Sequence, residues 1–175
     1  MVCKKICKKN KLIQFKIDIK KQIKFLLTHL QSKEKIFVHR DFHVSNLMKF
    51  KNKMGVIDTQ DALIGNKAYD LASLIDDVRY KTSNSLKEKI YNYFLETNKE
   101  LDSNKFKNDF DILSVLRNLK IIGIFMRLAE RDKKKKYLKL IPYAWKMIDN
   151  RMNKNQDFDS LKLLLMSNFS KFLTK

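Results

Sequence analysis

The chain has 175 residues, 44% hydrophobic and 33% charged, enough apolar content to build a core and too much for a disordered segment. Three Gly and one Pro are too few to punctuate an all-β fold, and the longest apolar run, Ile121–Met126, is far short of a membrane span. The net charge is +19, but the cations are overwhelmingly Lys spread over every segment, which reads as solvated faces with weak polyanion attraction and no specific nucleic-acid partner.

In chain order, residues 1–10 form a basic N-terminal tail without the apolar run of a signal peptide. Its Cys3 and Cys7, with no His nearby, fall short of a zinc set and read as reduced thiols of a cytoplasmic protein. Residues 11–31 place Ile13, Ile17, Ile23, Leu26, Leu27 and Leu30 at helical spacing, predicting an amphipathic helix. Lys35–His39 is a short β-branched strand. A loop follows, then Leu47–Phe50 and Met54–Asp58 flank Lys51-Asn52-Lys53 as a tight hairpin.

After Gly65 every pattern is helical. Tyr69–Tyr80 puts Leu71, Ala72, Leu74, Ile75 and Val78 on one face. Ser85, with Glu88 three residues on, predicts a capping box for a helix over 86–101. Further helices are expected over Asp109–Arg131, Lys135–Met152 and Asp157–Lys171, with Pro142 either kinking the third or occupying its first turn. Lys133–Lys136 reads as a solvated turn. The fold class is therefore mainly α with a small β hairpin, in one unit over residues 11–175.

The chemistry concentrates in the loop Val38-His39-Arg40-Asp41-Phe42-His43-Val44-Ser45-Asn46 and in Asp58, twelve residues after Asn46 at the end of the apolar run Val56-Ile57. Phosphoryl transfer from ATP needs a carboxylate to take the proton of the attacking hydroxyl, and an amide and a second carboxylate to hold Mg²⁺ against the phosphates. Asp41 fits the first role, against the plainer reading of a turn cap. Asn46 and Asp58 fit the second, since Mg²⁺ prefers few, hard oxygen ligands; the plainer reading of Asn46 is a hairpin-entry residue. His39 reads chiefly as a brace for the turn. Asp61 is either a second metal or substrate contact or a helix-start cap. Asp70 is expected to cap a buried helix and hydrogen-bond the loop backbone. Arg127 and Arg131, one helical turn apart, either bind an anionic substrate group or sit on the surface. His43 makes a rival His-x-Asp-x-His pattern with His39 and Asp41, a metal-hydrolase cluster short of ligands.

At these residues the chain resembles the aminoglycoside phosphotransferase and choline kinase group of small-molecule kinases, which share the protein-kinase-like fold. Thr59-Gln60 stands where protein kinases have Phe-Gly after the metal-binding Asp, which argues against a protein substrate. Across His39–Leu74 and Arg117–Trp145 the segments His39-Arg40-Asp41-Phe42-His43, Gln60-Asp61-Ala62-Leu63-Ile64-Gly65, Ala68-Tyr69-Asp70-Leu71-Ala72-Ser73-Leu74 and Arg117-Asn118-Leu119-Lys120 are similar to bacterial amino-sugar kinases of cell-wall sugar recycling. The resemblance implies ATP and Mg²⁺ as cofactors and the anomeric hydroxyl of N-acetylmuramate or N-acetylglucosamine as acceptor. It also implies an N-terminal lobe with a nucleotide loop and a phosphate-binding Lys. Only about 35 residues precede the loop here and they read as one helix, so the chain is expected to be the C-terminal lobe with the N-lobe absent: a split-gene product, a degraded gene, or one half of a two-chain enzyme whose N-lobe a separate chain supplies. The other reading is a pseudo-kinase remnant serving as an interaction module with a basic surface.

Overall fold

In a computed structural model, which describes residues 9–153 and 155–173, the predicted helices and hairpin are present with shifted boundaries. The order is α1 (Lys9–Thr28), β1 (Lys35–Val38), a 3₁₀ turn (Val44–Asn46), β2 (Leu47–Phe50), β3 (Lys53–Val56), β4 (Leu63–Asn66), α2 (Ala68–Ile75), α3 (Asn84–Thr97), α4 (Ser103–Glu130), a 3₁₀ stretch (Lys135–Leu140), α5 (Ile141–Met152), a 3₁₀ turn (Gln156–Phe158) and α6 (Asp159–Leu173). Cys3, Cys7 and most of the expected tail lie outside the described residues; Lys9 and Asn10 are already helical.

Two compact units emerge. One holds Leu30–Ser114; the other joins α1 to the chain from Val115 onward. Helix α4 contributes residues 103–114 to the first and 115–130 to the second.

In the first unit, Ala68, Leu71, Ala72 and Ile75 recur at the 3–4–7 spacing of one helical face and are all buried. They pack on Phe106, Phe110 and Leu113 of α4, which repeat the spacing. Tyr91 and Phe94 of α3 close the cluster, Phe94 stacking on Phe106 at 5.2 Å and Tyr91 meeting Phe110 edge-on at 5.1 Å between centroids. The expected helix Tyr69–Tyr80 stops at Ile75, and Asp76 and Asp77 turn inward with Val78. Asp76 takes Lys87 Nζ at 3.0 Å and Ser114 Oγ at 2.6 Å.

The strands form two separate two-stranded antiparallel sheets. β1 pairs with β4, Val38 opposite Leu63, and β2 pairs with β3, Leu47 opposite Val56. The hairpin turn is two residues, Lys51-Asn52, with Lys51 at φ 51°; Lys53 belongs to β3 and Ile57-Asp58 lies beyond it. At Gly65 an added Cβ would stand 3.3 Å from Val38 Cγ2 and 3.0 Å from Leu63 Cδ1, so glycine lets β4 lie close against the strand that leads into the loop.

In the second unit, the inward stripe of α1 is Phe15, Ile19, Ile23 and Leu26, while Ile13, Ile17 and Leu27 are exposed. The sequence pattern assigned these three to the buried face; two interleaved apolar stripes exist and the one carrying Phe15 faces inward. Ile141, Ala144, Trp145, Ile148 and Met152 form the buried face of α5, with Pro142 in its first turn, and the preceding Lys135–Leu140 is 3₁₀ helix. Leu161, Leu165 and Phe169 bury α6, which kinks at Phe169. No helix among the described residues is long and apolar enough to cross a membrane.

Candidate active site

The first unit carries the loop. β1 delivers the chain to His39, buried at the strand end. Its Nε2 lies 2.9 Å from the Ile57 carbonyl oxygen; a carbonyl only accepts, so Nε2 carries the proton. Ile57 N–H in turn donates to the Asn46 carbonyl at 3.0 Å. The residue before Asp58 is thus gripped through both of its peptide groups by the loop.

Asn46, buried at the end of the 3₁₀ turn, donates from Nδ2 to the Asp41 carbonyl at 3.0 Å, and its own N–H donates to the His43 carbonyl at 2.9 Å. That contact fixes which end of the amide is nitrogen and leaves Oδ1 without a donor among the described residues. Asp41 is half-buried and Asp58 exposed. No donor among the described residues engages the side-chain carboxylate of either.

Two residues of this frame are left-handed, Arg40 at φ 72° and Asp58 at φ 68°. Outside glycine such a backbone costs about 1–3 kcal/mol and persists only where its surroundings enforce it. At Arg40 the enforcing group is Asp70: Oδ2 accepts from His39 N–H at 2.7 Å and Oδ1 from Arg40 N–H at 3.0 Å. Arg40 Nη1 also donates to the Asp61 carbonyl oxygen at 3.1 Å. Asp70 thus bonds the loop backbone as the sequence suggested but does not cap α2, whose first N–H, at Ala68, goes instead to Asn66 Oδ1 at 2.9 Å. Asp61 does not cap α2 either. It sits exposed between β3 and β4, its backbone oxygen tied to Arg40.

Asp109, in sequence only the expected start of a helix, has an anchoring role that the sequence did not show. Fully buried on α4, it accepts from Gln31 N–H at 2.7 Å, Ser32 N–H at 2.9 Å and Asn66 Nδ2 at 2.6 Å. One carboxylate so anchors the entry to β1 and the exit of β4. The available signal was an acid beside Phe110 in a stripe of buried aromatics.

The rival metal-hydrolase pattern does not assemble: among the described residues no group of three or more His, Cys, Asp or Glu is placed to hold a metal. His43 is buried and His39 is spent on Ile57. Arg127 and Arg131 belong to the second unit. Arg131 Nε and Nη2 grip Asp132 at 2.6 and 3.2 Å, which raises the Arg131 pKa and lowers that of Asp132, the side-chain hydrogen bond being the main cause of each.

A mainly helical body with a loop and strand end bonded into one frame has the build of a partial kinase-like lobe. The chain belongs to the phosphotransferase enzyme family, whose profile matches residues 9–101. It is similar to proteins named N-acetylmuramate/N-acetylglucosamine kinase. The one from Neisseria meningitidis serogroup B is 38% identical over 125 residues, 67% of this chain and 37% of that protein. The one from Caulobacter vibrioides is 34% identical over 119 residues, 65% of this chain and 33% of that protein. The one from Pseudomonas aeruginosa is 32% identical over 139 residues, 76% of this chain and 41% of that protein. The aligned stretch thus spans well under half the length of these curated relatives.

Proposed function

We propose that this chain is the catalytic-loop lobe of an ATP- and Mg²⁺-dependent phosphotransferase acting on a hydroxyl of an amino sugar in the cytoplasm. The observation that carries the proposal is the hydrogen-bonded frame that ties the Asp41 carbonyl, both peptide groups of Asn46 and both peptide groups of Ile57, the residue before Asp58, while the Asp41 and Asp58 carboxylates and Asn46 Oδ1 meet no donor among the described residues. In this reading Asp41 accepts the proton of the attacking hydroxyl. Asn46 Oδ1 and the Asp58 carboxylate hold Mg²⁺, which offsets the phosphate charge; one neutral and one charged oxygen ligand suit a hard ion that keeps several waters. His39 and Asp70 keep the frame in register, and Asp61 and His43 are the candidate acceptor contacts. The acceptor class rests on the names of the relatives.

The first unit also leaves apolar side chains bare around this frame. Phe37 and Ile64, directly opposite on β1 and β4, are 60% and 65% exposed, and Phe50 at the hairpin turn is 71% exposed. β3 is exposed at every residue. A two-stranded hairpin uncovered on both faces is marginal by itself, and apolar groups so clustered mark an interaction surface. The natural cover is a nucleotide-binding lobe of the same family, which supplies the phosphate-binding Lys and accounts for length that the relatives have beyond the matched stretch.

Transfer of labelled phosphate from ATP to N-acetylmuramate and to N-acetylglucosamine tests the reading. The chain alone should transfer little. Joined to the N-terminal portion of the Neisseria relative, it should gain at least a hundredfold, and Asp41→Asn should remove the gain. A joined form that binds Mg-ATP yet phosphorylates neither sugar would overturn the acceptor class. Turnover by the free chain at about 1–100 s⁻¹, the usual kinase range, would overturn the need for a second lobe.

A further inference from the structure

The second unit holds a cleft of about 710 Å³ between α1, α4, α5 and α6, within the size range of small-molecule sites. Ile19, Ile23, Met126, Trp145, Leu165 and Phe169 give it apolar walls. Phe169 stands between Phe15, edge-on at 5.4 Å, and Trp145, tilted at 5.5 Å, so the aromatic wall is braced. No lining residue carries a hydroxyl or carboxamide side chain, which makes the cleft unsuited to a bare sugar.

Gly123 lines the same cleft in mid-helix, where glycine weakens a helix relative to alanine. A Cβ built there meets nothing within 4 Å. Packing therefore does not require glycine; what glycine provides is room.

Charge is confined to the end of α4 and the residue after it, at Arg127, Glu130 and Arg131. Arg131 is held by Asp132. Arg127 forms no ion pair within 4 Å with any described residue, though its charge acts on Asp132 at longer range, while Glu130 disfavours a second negative charge nearby. We propose that this cleft binds an apolar molecule carrying a single carboxylate, its body against Trp145 and Phe169 and its carboxylate on the Arg127 guanidinium, whose planar fork matches a carboxylate.

Trp145 is the only tryptophan, so its fluorescence reports the cleft directly. The full chain is titrated with decanoate and, in parallel, with decanol, both below micelle formation. The expected result is a saturable response to decanoate at one molecule per chain. Arg127→Ala should weaken decanoate about tenfold, the size of one charge-assisted hydrogen bond, and leave decanol unchanged. Lys146→Ala removes the same charge from an exposed position on α5 outside the cleft and should change neither. Gly123→Leu should fill the cleft and abolish both responses with unchanged circular dichroism. A non-saturable response, binding that survives Gly123→Leu, or equal weakening by Arg127→Ala and Lys146→Ala would overturn the proposal. So would Trp145 emission that decanoate leaves unchanged. The Arg127–Lys146 comparison decides the matter even if Gly123→Leu fails to fold.

Discussion

Asp70 shows how one side chain sets the geometry of a loop thirty residues away. Its two oxygens take the N–H groups of His39 and Arg40, and those bonds hold Arg40 in its left-handed turn. Replacing it with alanine strands two backbone donors and releases the strain they contain. Asp70→Ala should therefore destabilise the fold by about 2–4 kcal/mol, from one to two unsatisfied donors at about 1–3 kcal/mol each, read as a lower urea midpoint with unchanged slope. A change under about 0.5 kcal/mol, the scale of an ordinary surface substitution, would mean that the loop holds its shape without Asp70. Asp58 is governed by the same geometry. Aspartate and asparagine tolerate the left-handed region far better than alanine, so Asp58→Asn removes charge while keeping the backbone, and it is the variant that isolates the carboxylate's role.

At the scale of elements, helix boundaries follow caps that propensity alone does not reveal. α3 begins at Asn84 because Ser83 Oγ accepts from Leu86 N–H at 3.3 Å, not at the Ser85–Glu88 box that the sequence offered. α4 begins at Ser103 because Asp102 accepts from Asn104 N–H at 3.0 Å and Lys105 N–H at 3.1 Å. Five of its first six residues are polar, Phe106 alone marking the inward face, and the helix was expected only from Asp109. The Asp102 pKa is lowered, chiefly by the Lys105 backbone bond and despite desolvation. A depressed carboxylate stabilises the fold above its unfolded value of about 3.9, and that contribution fades as pH falls through the folded value. Melting temperature measured from pH 6 to 2 should therefore fall less steeply for Asp102→Asn, which caps without titrating, than for the parent; parallel curves would contradict this. The Asp76–Lys87 pair joins α3 to the end of α2 with both groups buried. Lys87→Met removes a buried cation from a buried carboxylate and should cost about 3–5 kcal/mol, seen in chemical denaturation, whereas a near-neutral result would mean that the remaining partners of Asp76 hold its charge. β4 escaped the sequence reading because Leu63–Asn66 is short, contains a glycine and pairs with a strand some thirty residues earlier.

For the whole molecule, what was legible in sequence was local. The loop and strand end are defined by spacing within about twenty residues, so Asp41, Asn46 and Asp58 stood out, and the mainly helical class followed from periodicity and scarce Gly and Pro. What was not legible depends on distant backbone. Asp109 anchors residues 31–32 and Asn66, and no pattern near position 109 names those partners. The division into two units was hidden for a related reason, since α4 passes from one to the other with no composition shift to mark it. The proposed function divides labour on one frame, with Asp58 proposed to hold the metal and Asp41 to take the proton. It is tested most directly by calorimetric titration of Mg-ATP into the chain joined to a family N-terminal lobe, as parent, Asp41→Asn and Asp58→Asn. Asp41→Asn should bind within about threefold of the parent, and Asp58→Asn should lose at least about tenfold, close to 1.4 kcal/mol. Equal loss in both variants, or full binding by Asp58→Asn, would contradict it.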